Sequence, residues 1–442
     1  MLSDALSLVT DLPRSPPDWR RLGAHLPHEW IETALECKGK ASIRVRRLPA
    51  QQVVWVVIGL ALYRHLSIKE VLDDLDLALP ELEGRFVTAS AACQARQRLG
   101  AEPLHWLFQT SAKAWHNEDR AAYQFHGMDL LAMDGTTLRL ADSDANREHL
   151  GAQRYAKSRV ASFPQARGVT LMAVSTHLVL DARFGAYKTS EMAFAKELLS
   201  SIPDNSLTTF DRGFLSAELL CNLVAHGIRR HYLVPAKSNT KWTLIEGTDK
   251  DGTVEMKVSD AAMRLDATLP ATWKARAIRI ANDKGELEYL LTSLIDRKLF
   301  KAKQIIDSYW RRWEIETSFR ELKQTMLGSA HTLRSTTVEG VNQEIWGALI
   351  AYNLVRVEIA KAALEAKCQP TDISFTLAFR TIQYELFIAA ATQAQGKLPA
   401  GLKRLRQRLV LDLKEYRPDR KFDRVIKAKA QRYPHKTLKT SA

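Results

Sequence analysis

One stretch limits what this chain can become more than any other: YWRRWEIETSFRELK, from Tyr309 to Lys323. It contains no Gly or Pro and consists mostly of good helix formers, so the pattern predicts a single helix. At roughly 100° per residue, Tyr309, Arg312, Glu316 and Lys323 fall within a stripe about 60° wide. Trp310, Trp313 and Ile306 drift to one flank, and Ile315, Phe319 and Met326 to the other. One carboxylate therefore shares a face with a phenol and two cations. Such a face can hold a divalent cation while Arg312 and Lys323 grip the phosphates of a nucleic acid. A solvated helix with i,i+4 ion pairs, such as Glu316 with Arg320, would use the same residues.

Two further acids narrow the choice. MDLLAMD is an apolar run ending on Asp134, followed by Gly-Thr-Thr and LRLAD, which reads as a hairpin with its turn at Gly135. LTTFD is a short strand ending on Asp211, just before Arg212-Gly213. An Asp before Gly is commonly a turn former. Acids at strand ends of an α/β sheet, however, face the crevice where ligands bind. Asp134, Asp211 and Glu316 are thus candidate catalytic and metal-binding residues. Together they could hold two Mg²⁺ or Mn²⁺ ions for an in-line phosphoryl transfer.

The charge points to the same partner. There are 64 Lys and Arg against 50 Asp and Glu, a net +14 and a pI near 9.5, which favours a polyanion. Between Lys397 and Ala442 lie 15 basic and 4 acidic residues, so +11 of the +14 is in the tail. That tail suits phosphate contact or, with its helical approach, subunit pairing. Cys37, Cys93, Cys221 and Cys368 are scattered, with no CxxC spacing, which argues against a zinc site or a disulfide framework. The longest apolar run, Val53 to Tyr63, is shorter than the ~20 residues that span a bilayer and reads as a buried helix. No basic segment precedes an apolar core near the N-terminus. A cytoplasmic, DNA-associated protein without membrane contact is expected.

Along the chain, residues 1–125 read as helical. Pro27 and Pro49 open helices, Ser67 can cap IKEVLDDLDLAL, and Thr88 or Ser90 caps AACQARQRL, closed by Gly100. This last pair could be a helix-turn-helix presenting Arg96 and Arg98 to DNA, or part of a bundle with a charged outer face. Residues 126–330 alternate strands and helices, with a β-rich stretch at 237–288 that reads as an insertion. Residues 331–442 are helical and end in the basic tail. The fold class is α/β.

These motifs together resemble those of the DDE transposases of bacterial insertion sequences, in the family named after insertion sequence 4. Its signature, Tyr-x2-Arg-x3-Glu-x6-Lys, is matched at Tyr309, Arg312, Glu316 and Lys323 with every spacing kept. MDGTTLRL around Asp134 and FDRGF around Asp211 resemble its two acid regions, and RRLPA, QARQRLG, PQARGVTLM and RYPHK also resemble the family's sequences. The resemblance implies a ribonuclease-H-like core with a β-rich insertion between the second and third acids, for which the 105 residues from Asp211 to Glu316 (316 − 211) leave room. It implies cut-and-paste transposition by nicking, hairpin formation, hairpin opening and strand transfer. The partners would be terminal inverted repeats and target DNA, in a synaptic homodimer. Tyr309, Arg312 and Lys323, with Arg212 beside the second acid, would contact DNA near the cleaved end. The family's base-stacking Trp has no clear equivalent here. Tyr289, either a DNA contact or a packed strand residue, sits nearest, with Trp273 and Trp242 upstream. The rival readings are a silent DNA-binding derivative of a transposase and a stand-alone metal-dependent nuclease.

Overall fold

The computed structural model describes residues 25–41, 48–74, 87–156, 159–281, 287–328 and 332–392, with short pieces at 406, 409–410 and 435–437. The basic run Arg44 to Arg47 and most of the tail beyond Lys397 lie outside these residues. Helices come first: α1 (His28–Cys37), α2 (Ala50–Leu62), α3 (Ile68–Asp74), α4 (Ala89–Leu99) and α5 (Glu102–Asp119). Pro27 and Pro49 stand at the N-caps of α1 and α2 as expected. Ser67 and Glu70 exchange hydrogen bonds across the start of α3, and Thr88 Oγ1 accepts from Ala91 N at α4. The apolar run forms α2, buried on nearly every side.

A mixed sheet carries the middle of the chain. Its strands are β1 (Asp129–Leu140), β4 (Gln165–Ala173), β5 (Val179–Ala186), β6 (Ser206–Phe210), β7 (Arg230–Pro235), β8 (Thr243–Thr248), β9 (Asp251–Lys257), β10 (Thr272–Ala281) and β11 (Leu287–Thr292). Their order is β5-β4-β1-β6-β7-β11-β10-β9-β8, with β12 (Thr332–Leu333) pairing alongside β1. β1 is antiparallel to β4 and parallel to β6, and β6 is parallel to β7. Three antiparallel strands followed by two parallel ones give the ribonuclease-H-like core. Helices α6 (Asp144–His149), α7 (Glu191–Leu198) and α8 (Ala217–Ala225) fill its connections. The inserted strands β8 to β10, which bracket helix α9 (Asp260–Leu265), continue the same sheet through β11, which pairs with β7. A small separate sheet joins β2 (Arg154–Ala156), β3 (Arg159–Ala161) and β13 (His435–Thr437).

Two expectations need correction. The hairpin at Gly135 does not form: β1 runs unbroken through Asp134, because β4 pairs with it from Leu131 to Arg139. Gly135 makes no turn; a Cβ there would lie 2.3 Å from the Glu191 carboxyl carbon at the start of α7 and would push that half-exposed side chain aside. Nor is Tyr309 to Lys323 one helix. It comprises α10 (Ala302–Trp310), a turn at Arg311 and Arg312, α11 (Trp313–Arg320) and a π-helical turn, Glu321–Met326.

The sheet's two faces bury different cores. Leu131, Met133 and Phe210 pack into the large core shared with α1 to α5 and the long helix α12 (Val338–Ala366). Leu130, Ala132, Leu207 and Leu290 face a smaller core completed by Ile305, Tyr309 and Ile315 from α10 and α11. α12 is buried around most of its circumference and packs on α2 and α5 as well as beneath the sheet. A Cβ on Gly347 would come within 2.5 Å of Val57 Cγ1, so glycine sets the approach of α12 to α2. α13 (Phe375–Thr392) follows.

Candidate active site

Strand alternation aims the acids. Side chains two apart on a strand share a face, so Asp134 follows Leu130 and Ala132 toward α10 and α11. Asp211, still extended at φ −79° and ψ 172°, follows Leu207 to the same side. Met133 and Phe210 are the last partners of the parallel β1–β6 ladder, which leaves Asp134 and Asp211 side by side just beyond it. Glu316, on the first turn of α11, arrives from above.

Arg312 occupies the middle. Its Nη1 lies 3.9 Å from Asp134 Oδ2 and its Nη2 3.6 Å from Glu316 Oε1. The guanidinium is buried, rests over the Trp313 ring at 5.2 Å and the Tyr309 ring at 5.9 Å, and its Nε–H lacks a protein acceptor. Asp134 also accepts from Gly135 N at 2.7 Å, and Asp211 accepts from Gly213 N at 2.7 Å. Burial pushes the Asp134 carboxyl up to about 6; the charges of Asp211 and Glu316 add to this, against the Gly135 hydrogen bond and Arg312. Burial brings the Lys323 ammonium down to about 8, with Asp134 acting in the opposite sense. Burial also raises the Tyr309 phenol. Among the described residues no three acid, His or Cys side chains stand close enough to share one ion. The three carboxylates share an electrostatic neighbourhood, each turned toward a protein partner. Hard oxygen donors, one of them raised by burial and further by its neighbours' charges, fit a divalent cation.

The other expected residues scatter. Arg212 is half exposed and pairs with Glu288 Oε2 at 2.6 Å. Of the two readings of Tyr289, the structure has the packed strand residue, on the face away from the acids: it packs against the large core, edge-on to Trp242, and donates its hydroxyl to Asp249 at 2.7 Å. The reason is again alternation, for Leu290 takes the catalytic face and its neighbour cannot. Arg96 turns back from the α4 surface, with Nε donating to Gln343 Oε1 at 2.8 Å, while Arg98 is exposed.

Sequence reasoning missed Glu288, which shares a strand face with Leu290. It also missed His177, Glu314, Glu321 and Arg356, which form an ionic cluster behind α11. Period-two alternation would have found Glu288. Nothing local marks His177, because its partners come from two distant segments, the signature segment and α12.

Comparison with known proteins gives the family. A family profile described as the insertion element 4 transposase N-terminal matches residues 17–109, and one described as a transposase DDE domain matches 125–354. Transposase InsG for insertion sequence element IS4, from Escherichia coli (strain K12), is 35% identical over 437 residues, covering 98% of this chain and 97% of its own. The chain belongs to the insertion element 4 family of DDE transposases. The putative transposase InsZ of the same organism is 34% identical over 297 residues, 65% of this transposase and 97% of its own length. A cryo-electron microscopy structure of a piggyBac transposase synaptic complex with hairpin DNA covers 92% of the chain and 87% of its own at 12% identity and TM-score 0.45, too distant to carry an argument. This transposase is therefore an enzyme of DNA cleavage and strand transfer, with DNA as its partner and a divalent metal as its family's cofactor. Among the described residues no helix is long and apolar enough to cross a membrane.

Proposed function

We propose that the transposase binds the terminal inverted repeats of its element and moves it by cut-and-paste, with Asp134, Asp211 and Glu316 as the catalytic triad. The observation that carries this reading is the placement of all three acids on one sheet face with Arg312 between two of them. Two Mg²⁺ or Mn²⁺ ions held there would activate a water or 3′-hydroxyl and stabilise the leaving oxygen. The chain's own residues do the rest. Arg312 and Lys323, the cations nearest Asp134, would hold the phosphates that flank the scissile bond. Tyr309 backs the Arg312 guanidinium. Arg212, tethered by Glu288, borders the same crevice.

A hairpin intermediate requires a sharp turn of the cleaved backbone, and a base that leaves the stack there needs an aromatic partner. Trp313 fits this role better than Tyr289. It is 47% exposed and stands beside Arg312 on the catalytic side of the sheet. End recognition falls to the N-terminal helices through Arg98, and non-specific affinity to the tail. We retain 1–125, 126–330 and 331–442 as working divisions, but the packing of α12 on α2 and α5 favours the first and last acting as one helical body. Two copies, one per element end, would form the synaptic complex.

Supercoiled donor plasmid carrying the native ends, incubated with protein and Mg²⁺, tests the reading. Nicked, hairpin and joined products are expected. Asp211→Asn should stop nicking while leaving end binding within a few-fold. Retained Mg²⁺-dependent cleavage in that variant would remove Asp211 from the triad. Cutting without joining would favour the stand-alone nuclease.

A further inference from the structure

We propose that His177 is a positioning residue for the catalytic helix, tying Glu314 directly, and Glu321 through Arg356, to the β4–β5 turn so that Glu316 is held over the acids of the sheet. The inference rests on the triad reading above. It starts from a residue with no role in that reading: a histidine with no solvent exposure, at the left-handed φ of +60°, in the turn between β4 and β5.

The ring spans two points of the signature segment. His177 Nε2 lies 2.9 Å from Glu314 Oε2, and Nδ1 lies 3.3 Å from Glu321 Oε2. Seven residues of helix rise about 10 Å, so the imidazole with the Arg356 guanidinium beside it bridges two turns of backbone, with Glu316 between the anchor points. Arg356, fully buried on α12, donates from Nη2 to both Glu321 Oε2 and His177 Nδ1. That contact assigns the tautomer: Nδ1 accepts from Arg356, so the ring proton sits on Nε2 and is donated to Glu314. Tyr352 completes the cluster, its hydroxyl donating to Glu321 Oε2 at 2.8 Å and lying 3.2 Å from Arg356 Nε. The same turn holds the segment at a third point, where Arg311 Nη2 donates to Ser175 Oγ at 2.9 Å.

These tethers fall where the helix is weakest. Arg311 is at the break between α10 and α11, Glu314 on the first turn of α11, and Glu321 at the start of the π-helical turn that carries Lys323. A helix interrupted on both sides of its catalytic carboxylate does not fix that carboxylate by backbone hydrogen bonding alone. The β4–β5 turn supplies the missing constraint from the sheet that bears Asp134, so both parts of the site share one frame. Glu314 and Glu316 are about 200° apart around the helix, which separates the clamped side from the working side.

Groups that orient metal ligands through such contacts typically change metal affinity by about 10- to 100-fold when removed. The test is a Mn²⁺ titration by electron paramagnetic resonance on the full-length protein bound to a duplex carrying its element end. Glu314→Ala is expected to weaken Mn²⁺ binding by about tenfold or more with an unchanged melting temperature and unchanged metal-free DNA affinity. Glu314→Gln, which still accepts from Nε2–H, should restore it. His177→Asn, a residue that tolerates positive φ, should weaken it as Glu314→Ala does. Wild-type Mn²⁺ affinity in Glu314→Ala, or equal losses in the Ala and Gln variants, would overturn the positioning role. So would losses that track a lowered melting temperature. Glu316→Gln and Asp211→Asn are the controls: if they too keep wild-type Mn²⁺ binding, the triad itself fails and the positioning role with it. If they abolish binding while Glu314→Ala does not, only the positioning role fails.

Discussion

At the scale of single residues, Asp134 stores a conflict between stability and chemistry. Its folded pKa of about 6 lies above the ordinary 3.8, so between those values the metal-free native state binds more protons than the unfolded chain. Stability therefore falls as pH rises through that window, and the full penalty, at most about 3 kcal/mol, is present above pH 6. Asp134→Asn should raise the melting temperature of the metal-free protein at pH 7 and flatten its pH dependence between 4 and 6, while abolishing nicking. Calorimetry across that range, beside a plasmid-nicking assay, checks both halves. Trp313 offers a second single-residue test. Its exposed ring contributes little to the core, so Trp313→Ala should fold normally, nick normally and form hairpins more slowly. Equal loss of both steps on a time-resolved gel would exclude the stacking role.

Among elements, the signature segment is where buried charge matters most. Burial alone would raise the Glu321 carboxyl, but the Arg356 charge outweighs it and holds the group at about 2, below the ordinary 4.5. Its contribution is therefore complete above about pH 4.5 and is lost as pH falls toward 2. Glu321→Gln leaves Arg356 buried without its counter-charge and should cost about 3–5 kcal/mol at neutral pH, measured by urea denaturation. The variant should also lose less stability than the parent on acidification to pH 3. Sequence reading reached this segment's residues but not its shape. The fifteen residues have helical propensity throughout, and at Arg311 and Arg312 the backbone keeps helical angles but tightens to i→i+3 hydrogen bonds, where Arg311 meets Ser175 and Arg312 meets Asp134, tertiary contacts that no local pattern encodes. The strand over MDLLAMD was legible from its apolar run. Its continuation through Gly135 was not, because that depends on the β4 partner and on Glu191 lying against the glycine. For Tyr289 the sequence left a DNA contact and a packed strand residue both open; the packed residue is what forms, because Leu290 takes the catalytic face.

Across the whole molecule, the proposed DNA binding is divided between a structured surface and a basic tail that is mostly outside the described residues. If the tail binds phosphate, removing residues 397–442 should lower DNA affinity and reduce the slope of log affinity against log salt by about 0.9 for each phosphate that the tail would have neutralised. An unchanged slope, from fluorescence anisotropy at several salt concentrations, would point to subunit pairing instead. The tail is not independent of the core, however: Leu409 is buried there, and Arg406 reaches Glu358 and Glu365 on α12. The removal is therefore best compared with charge-neutralising substitutions within the tail.

The seating of α12 on α2 also has a cost in time. Val57 and Gly347, which touch in the finished protein, are separated by nearly three hundred residues of synthesis. At about 5–20 residues per second, roughly 15–60 s pass between their emergence from the ribosome. Throughout that interval the nascent chain carries an apolar helix, AQQVVWVVIGLAL, whose cover has not yet been translated. Fragments that stop before Val338 should therefore aggregate or remain bound to chaperones, and the yield of native transposase should depend on how quickly the ribosome crosses the intervening sheet.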